Sequence, residues 1–241
     1  MHDSPIRSLG KEVALFVEKY FVKELQANSS FKAGDYEKAL IETFLRMDQL
    51  INTTEGRKEL LFLKKSGGEG AGGDFDGDLH AGCTACVALM AKGELIVANA
   101  GDSRCVLSRR GKAIEMSEDH KPENEKERER IEKAGGYIVE GRVNGNLNLS
   151  RALGDLEFKQ NAGLKPHEQL ISAMPEIKKT KLTEDDEFIV LGCDGIWECM
   201  SNQGIVDFIG KRLKNVTPTS KVIEELLDKI VAPETASTVI L

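Results

Sequence analysis

The chain has 241 residues, of which 40% are hydrophobic and 30% are charged, and its formal net charge is −7 at pH 7. This length and composition predict a single folded domain over residues 1–241 and exclude disordered, collagen-like and coiled-coil proteins. The acidic balance argues against a nucleic-acid partner, because such a partner requires a basic surface.

The sequence also carries no signal for a membrane or for secretion. No apolar run approaches the roughly 18–20 residues that a membrane span requires, so we expect no membrane partner. The first residues, MHDSPIRSLGKEV, lack an apolar core after a basic stretch, which argues against a secretory signal. Five cysteines without the spacing of a disulfide framework predict reduced thiols in an intracellular protein, either cytoplasmic or nuclear.

Two amphipathic helices are predicted first, over residues 11–26 and 36–52, because apolar side chains recur there at helical spacing. A Gly- and Asp-rich loop follows at residues 66–79. Its DFDGD stretch has the Asp and Gly residues of a calcium-binding loop. The spacing differs from an EF-hand, because the glycine is misplaced and Ala85 occupies the twelfth position from Asp74. We therefore expect an exposed surface loop.

Strands are predicted from residue 82 onward, where the apolar pattern changes its period. The segments that read as strands are residues 83–91, 94–102, 104–110, 112–117 and 137–143. The first of them contains Cys83 and Cys86, which would face opposite sides of a strand. No second Cys or His pair lies nearby in the sequence, so we interpret both as buried small hydrophobic residues rather than as a zinc or redox site.

Helices dominate the rest of the chain. The predicted elements are a polar helix at 124–136, a buried strand at 188–193, helices at 201–214 and 220–231 with serine cap candidates, and a last strand at 237–241. Helices at both ends of a mainly antiparallel β region predict an α+β fold in which helices cover the sheets.

Two acidic residues end strand-like segments, Asp102 in LIVANAGDSR and Asp194 in FIVLGCDGIWE, and Glu198 follows Asp194 by about one helical turn. Each acid alone would fit a turn or a helix cap. Together they predict oxygen ligands at one rim of a sheet, because Mg²⁺ and Mn²⁺ prefer carboxylates and compensate the cost of burying them. Gly195 would let the backbone approach a ligand closely. A carboxylate-rich nuclease or another Mg²⁺-dependent hydrolase is an alternative.

Five segments, in order, resemble the successive motifs of the metal-dependent protein serine/threonine phosphatases, the PPM or type 2C family. They are AGCTACVAL, VANAGDSRCVL, MSEDHKPENEKERERIEKAGG, GRVNGNLNLSRALGD and FIVLGCDGIWECMSNQ. The similarity extends from about Lys11 to about Pro233. It implies a β-sandwich of two antiparallel sheets flanked by helices, and a binuclear Mg²⁺ or Mn²⁺ centre where a metal-bridging water attacks the phosphorus of a phosphoserine or phosphothreonine in a protein substrate.

The resemblance assigns site residues by position. Asp194 matches the aspartate that binds the binuclear centre. We take it as the catalytic residue and, with the adjacent Gly195, as part of the metal site. Asp102 matches an acid associated with a third, weaker ion, which also involves Asp194 and the position of Glu198. The usual residue at that last position is Asp, and the longer Glu puts ligation there in question. Asp155 and His120 also fall in family motifs, and we interpret them as a structural residue and a loop residue.

The segment from Gly154 to Gln169 corresponds to a mobile flap beside the family's active site. Lys165 and His167 in it are candidates for substrate contact, and a solvated loop is the alternative interpretation.

Two family motifs are missing from the chain. Residues 1–10 stand where the opening strands and the DGHGG motif are expected, and APETASTVIL stands where DNMT precedes the closing strand. We therefore expect a sandwich that is incomplete at its N-terminal edge, where a partner chain could pair. One aspartate cannot hold two divalent ions, each of which seeks about six oxygens. The two hypotheses are an active phosphatase and an inactive pseudophosphatase that binds phosphoproteins or acts as a scaffold.

Overall fold

A computed structural model describes residues 11–66, 81–215 and 217–231. The predictions for residues 1–10, for residues 67–79 of the loop and for the strand at 237–241 lie outside these residues. The chain forms two compact units, and each is described by itself. The first unit comprises Met1–Val87, Ala98–Asp102 and Asp119–Ile177, and the second comprises Ala88–Val97, Ser103–Glu118 and Lys178–Leu241.

The helices of the described residues are numbered in chain order. They are α1 (Glu12–Ala27), α2 (Ser29–Lys32), α3 (Tyr36–Ile51), α4 (Thr54–Ser66), α5 (Glu125–Lys133), α6 (Asp194–Trp197), α7 (Asn202–Leu213) and α8 (Thr219–Val231). Two 3₁₀ turns, Leu156–Lys159 and Pro166–Glu168, are added to them. None of the helices in the described ranges is long and apolar enough to cross a membrane.

The strands are short, and the pairs β1–β8, β10–β4, β4–β5 and β6–β7 defined below are antiparallel. They are β1 (Gly82–Cys83), β2 (Ala85–Ala91), β3 (Glu94–Ala100), β4 (Arg104–Arg109), β5 (Lys112–Glu115), β6 (Ile138–Val139), β7 (Arg142–Val143), β8 (Leu153–Gly154), β9 (Glu176–Lys181) and β10 (Asp186–Gly192). The sheet orders are β1-β8, β10-β4-β5, β2-β3-β9 and β6-β7. Helices with antiparallel sheets confirm the predicted α+β class.

In the first unit, α1, α3 and α4 pack together over an apolar core. Val13, Phe16, Ile51 and Leu60 are each at most 3% exposed in this cluster. The start of α3 is capped as its sequence dictates: the Asp35 carboxylate accepts from the N–H of Lys38 at 3.3 Å, which satisfies a donor that the first turn leaves open.

In the second unit, β10 pairs along β4, and the amphipathic helices α7 and α8 supply the rest of the core. Val190 pairs with Val106 in register, and both are buried with Ile205 and Leu226. The hydroxyl of Ser201 accepts from Gly204 N–H at 3.1 Å, so the predicted cap of α7 is confirmed.

Several sequence predictions were incomplete or wrong. The prediction of α8 placed Ser220 as its cap, but the helix begins at Thr219, and Ser220 lies inside its first turn. Residues 137–143 form a hairpin rather than one strand, because Glu140 and Gly141 adopt positive φ angles of 51° and 70°. Helix α4 and strand β9 were not predicted.

Candidate functional site

The turn that carries Asp194 follows directly on β10. Cys193 leaves the strand in an extended conformation, and Asp194 begins the single helical turn α6. The Asp194 side chain is half-buried, and its Oδ1 accepts from the N–H of Gly195 at 2.8 Å. No other hydrogen bond to this carboxylate occurs among the described residues, so the second oxygen is available to a ligand.

The only tryptophan of the chain anchors this turn. The Trp197 ring is 7% exposed in the core of the second unit, and its Nε1–H donates to the carbonyl of Gly192 at 2.8 Å. The guanidinium carbon of Arg104 lies 5.4 Å from the ring centroid, a cation–π distance. These contacts fix the direction in which the chain leaves β10, and with it the position of Asp194.

Glu198 and Gly195 lie beside Asp194 and are both exposed. The N–H of Glu198 donates to the carbonyl of Asp194 at 2.8 Å, so the two acids are one helical turn apart. Residues four positions apart on a helix are neighbours on its surface. The structure thus brings together this predicted pair of carboxylates.

Asp102 belongs to the first unit, in the turn after β3, and its surroundings differ. It is 5% exposed, and its Oδ2 forms an ion pair with Nζ of Lys121. The ammonium compensates the buried charge, as the cost of burying an unpaired carboxylate requires. A divalent ion that binds Asp102 has to compete with this lysine.

Gly101 shapes the turn before Asp102. Its φ is +122°, and an added Cβ would lie 2.4 Å from Cγ2 of Thr84. The carbonyl of Gly101 accepts from the backbone N–H of His120 at 3.0 Å and from Nδ2 of Asn99 at 3.1 Å. His120 is 2% exposed, with Nε2 at 3.9 Å from Oε2 of Glu176. It is therefore a buried residue of the loop rather than a solvated one.

The carboxylates suit a hard cation by type, and Asp194 also by its open oxygen. Within residues 11–66, 81–215 and 217–231, however, no group of three His, Cys, Asp or Glu side chains is close enough to hold a metal ion. The described residues by themselves therefore do not form a complete coordination sphere.

A buried charge network in the first unit escaped the sequence interpretation. Glu127 is 3% exposed and accepts from Arg151 Nη2 at 2.6 Å, from Arg130 Nη1 at 2.5 Å and from Ser150 Oγ at 2.8 Å. Burial by itself would raise the pKa of Glu127, but Arg151, Arg130 and Ser150 outweigh it and lower that pKa to about 2. The spacing of Glu127 and Arg130, three residues apart on a helix, was the signal available in the sequence.

The segment with Lys165 and His167 is anchored at Gln169. The Gln169 side chain is buried, and its Nε2 donates to the carbonyls of Asn161 and Leu164 at 2.8 and 3.0 Å. Lys165 and His167 are exposed on this segment. Asp155, at the beginning of the segment, is 4% exposed and adopts a left-handed conformation with φ of 47°.

The predicted single strand through Cys83 and Cys86 is two strands in the structure. Cys83 lies in β1 and Cys86 in β2, and both are free thiols that are half-buried rather than fully buried. Burial, with a smaller contribution from the nearby Asp48 carboxylate, raises the pKa of Cys83 to about 12. The thiol is therefore almost fully protonated at neutral pH.

Comparison with known proteins decides the family. The family model described as Protein phosphatase 2C matches residues 7–239. The chain belongs to the protein phosphatase 2C family. It is 53% identical over 232 residues to "Probable protein phosphatase 2C 4" of Paramecium tetraurelia and 50% identical over 231 residues to "Protein phosphatase 2C 1" of the same organism. These matches cover 95% and 94% of the chain and 74% of each relative.

A plant relative and solved structures agree with this assignment. The chain is 44% identical over 256 residues to "Probable protein phosphatase 2C 21" of Arabidopsis thaliana, with coverage of 95% of the chain and 72% of the relative. Two Toxoplasma gondii structures, a phosphatase and a serine-threonine phosphatase 2C, align with TM-scores of 0.67 and 0.69 at 24% and 17% identity. Each alignment covers 92% of the chain and 76% of the solved chain, and it confirms the predicted phosphatase 2C fold.

The predicted family and enzyme class are thus confirmed, and the chain is a phosphatase of the 2C type. Phosphatases of this family are generally metal-dependent, and a phosphatase of this class implies a phosphoprotein substrate.

Proposed function

We propose that the protein hydrolyses phosphoserine and phosphothreonine in protein substrates, with two Mg²⁺ or Mn²⁺ ions at the centre to which Asp194 belongs. When bound, the ions would supply Lewis acidity that activates a water and neutralises charge on the phosphoryl oxygens. The observation that carries the proposal is the half-buried Asp194 carboxylate with one open oxygen, at the end of β10 in a phosphatase 2C domain.

The roles of the chain's own residues follow from their contacts. Asp194 would be a metal ligand and Glu198 an adjacent carboxylate, with Gly195 leaving the approach to the turn open. Asp102 would bind a further, weaker ion, and Lys121 would be its competitor. The proposed specificity for phosphoserine and phosphothreonine, rather than phosphotyrosine, rests on the family resemblance. Five free thiols support a reducing, cytoplasmic or nuclear compartment.

A second candidate function rests on the incomplete ligand set. Because the described residues hold no group of three metal-binding side chains, the chain could be a pseudophosphatase that binds phosphoproteins without hydrolysing them. Such a protein would have the same fold and bind the same class of substrate, but it would not catalyse hydrolysis.

The deciding experiment is hydrolysis of a phosphothreonine peptide with and without Mn²⁺, combined with calorimetric titration of Mn²⁺. We expect Mn²⁺-dependent release of phosphate that falls by about 10²-fold or more in Asp194→Asn, as for loss of a major electrostatic contributor to the transition state. The matched control is Asp228→Asn on α8, an exposed aspartate. It should retain wild-type activity.

The outcomes separate the two candidates. Mn²⁺ binding without turnover, or peptide binding without Mn²⁺ binding, would identify a pseudophosphatase. Turnover that survives Asp194→Asn unchanged would refute the assigned ligand while leaving the family assignment intact.

A further inference from the structure

A cleft of about 350 Å³ opens beside α5 in the first unit. None of the residues assigned to the proposed hydrolysis lines it. Its walls are formed by Lys126, Glu127, Arg130, Arg151, His167, Ser172 and Met174. The cleft thus joins the exposed face of α5, the buried charge network and the 165–169 segment.

The charge on these walls is unbalanced. Two guanidinium groups, Arg130 and Arg151, share the single carboxylate of Glu127, so the network keeps a surplus positive charge. Both arginines are largely buried, with side chains 12% and 16% exposed, which weakens screening of that charge by water. The exposed ammonium of Lys126 adds a second positive charge at the mouth.

Arg151 also has unused hydrogen-bond donors. Its Nε and Nη2 bond to Glu127, and its Nη1 donates to the carbonyl of Met174 at 3.0 Å. A guanidinium carries five N–H groups in a fixed fork. One N–H on Nη1 and one on Nη2 therefore have no partner among the described residues, and a planar carboxylate or a phosphoryl group could accept both.

The wall opposite α5 is held in place by hydrogen bonds. Ser172 Oγ donates to the carbonyl of Pro166 at 3.1 Å and accepts from the N–H of Met174 at 3.1 Å. Arg130 Nε donates to the carbonyl of Gln169 at 3.1 Å. These bonds fix the backbone of the turn that carries His167, whose exposed imidazole lies at the edge of the cleft and can donate to an anion there.

We propose that this cleft binds a second anionic group of the protein substrate. That group is a carboxylate or a further phosphoryl group, distinct from the phosphoryl group that is hydrolysed. The inference deepens the proposed function, since it rests on a phosphoprotein substrate, and it assigns Lys126, Arg151 and His167 as the anion contacts. It predicts that the protein prefers peptides with an acidic or second phosphorylated residue near the target residue.

The first experiment uses inorganic phosphate as the probe, with the metal removed by EDTA and in the Asp194→Asn background. Under these conditions binding does not depend on the proposed metal centre or on turnover. Backbone amide shifts in two-dimensional NMR should move at Lys126, His167 and Met174 on titration. Lys126→Glu should weaken the phosphate affinity about tenfold, because it removes one positive charge and adds a negative one.

The matched control is Arg128→Glu. Arg128 is exposed on the same helix, two residues from Lys126 and therefore on a different face, and it undergoes the same charge reversal. The phosphate affinity of Arg128→Glu should stay within about twofold of the parent. An equal loss in both variants, or shifts confined to other residues, would overturn the proposal.

The second experiment distinguishes the two anion sources. Three peptides share one phosphothreonine and carry a second phosphoserine, a glutamate or an alanine nearby, and their binding is measured for the parent, Lys126→Glu and Arg128→Glu. Tighter binding of both anionic peptides than of the alanine peptide, lost in Lys126→Glu alone, supports the cleft. Equal binding of all three peptides overturns it, whether or not the protein is catalytically active.

Discussion

The indole N–H of Trp197 donates a 2.8 Å hydrogen bond to the carbonyl of Gly192, and this bond ties the turn that carries Asp194 to the last residue of β10. It spans one short turn, so the carboxylate is held by the strand rather than by a flexible loop. A bond of this kind between buried groups stabilises a fold by about 1 kcal/mol.

Trp197→Phe tests this relationship. The phenyl ring preserves much of the packing but removes the indole donor to the carbonyl of Gly192, so we expect a loss of about 1–3 kcal/mol in the free energy of unfolding. Urea denaturation followed by circular dichroism measures it. The apparent Mn²⁺ requirement should also rise. Met200→Leu, a nearly volume-conserving change in the same cluster, should leave both unchanged.

Gly101→Ala tests the turn before Asp102. The substitution places a Cβ 2.4 Å from Thr84 Cγ2 on a backbone with φ of +122°, and we expect a cost above about 3 kcal/mol, since strain and overlap add. Gly93→Ala is the control. Its φ is +76° but a Cβ there meets open space, so only about 1 kcal/mol should be lost. Equal losses in thermal melts would show that the overlap is relieved.

Glu127→Gln tests the buried network. Removing the carboxylate leaves the positive charges of both buried arginines without a counter-charge. We therefore expect the free energy of unfolding to fall by about 3–5 kcal/mol at neutral pH. The control is Glu129→Gln on the same helix, whose carboxylate is exposed and pairs with Lys133 at 3.2 Å. Its loss should stay below about 1 kcal/mol.

The same residue predicts a pH dependence. The pKa of Glu127 falls from 4.5 to about 2 on folding, so its stabilising contribution is complete above pH 4.5 and is lost as the pH decreases towards 2. Glu127→Gln should therefore show a shallower decline of stability between those two pH values than the wild type. Parallel curves from urea denaturation at a series of pH values would contradict the lowered pKa.

Cysteine alkylation provides a further prediction. Burial raises the pKa of Cys83 and Cys105 to about 12, whereas Cys193 and Cys199 are exposed. Because the thiolate is the reactive form, iodoacetamide at pH 8 should label the two exposed thiols and spare the other two, as read by peptide mass spectrometry. Mn²⁺ should slow the labelling of Cys193, which adjoins Asp194, and should not affect Cys199 to the same extent. Fast labelling of Cys83 would contradict its raised pKa.

Much of the fold could be predicted because the relevant signals are local. The apolar spacing of α1 and α3 and the apolar runs of β3 and β4 are visible along the chain, and so is the cap at Ser201. Strand β9, with EIKKTK, has too little apolar alternation to be recognised, and the two-residue β8 is defined only by its partner. Helix α4 was not recognised because the four apolar residues of its segment, TEGRKELLFLKKS, are consecutive rather than at helical spacing, although Leu60 lies on its buried face.

The acidic residues of the candidate site could be predicted from the sequence, but the side chains that contact them could not. Asp194 and Glu198 could be assigned from sequence, because a strand followed by an acid and a glycine is a local pattern. Asp102 pairs with Lys121, 19 positions away, and Glu127 pairs with Arg151, 24 positions away. Such contacts between distant positions are visible only in the folded chain. The assignment of Asp194, Asp102 and Glu198 as metal ligands stays a prediction until ion binding is measured.

The side chain of Gln169 closes residues 161–169 into a self-contained loop, since its amide bonds to both carbonyl and N–H of Asn161. The exposed tip at Ala162 and Gly163 lies inside this closure, whereas the Gln169 end is buried. A short spacer inserted at the tip would lengthen the loop at a cost of only about 0.6 kcal/mol per doubling. The tip is therefore an attachment point for a fluorescent label that would report ligand arrival without altering the cleft wall.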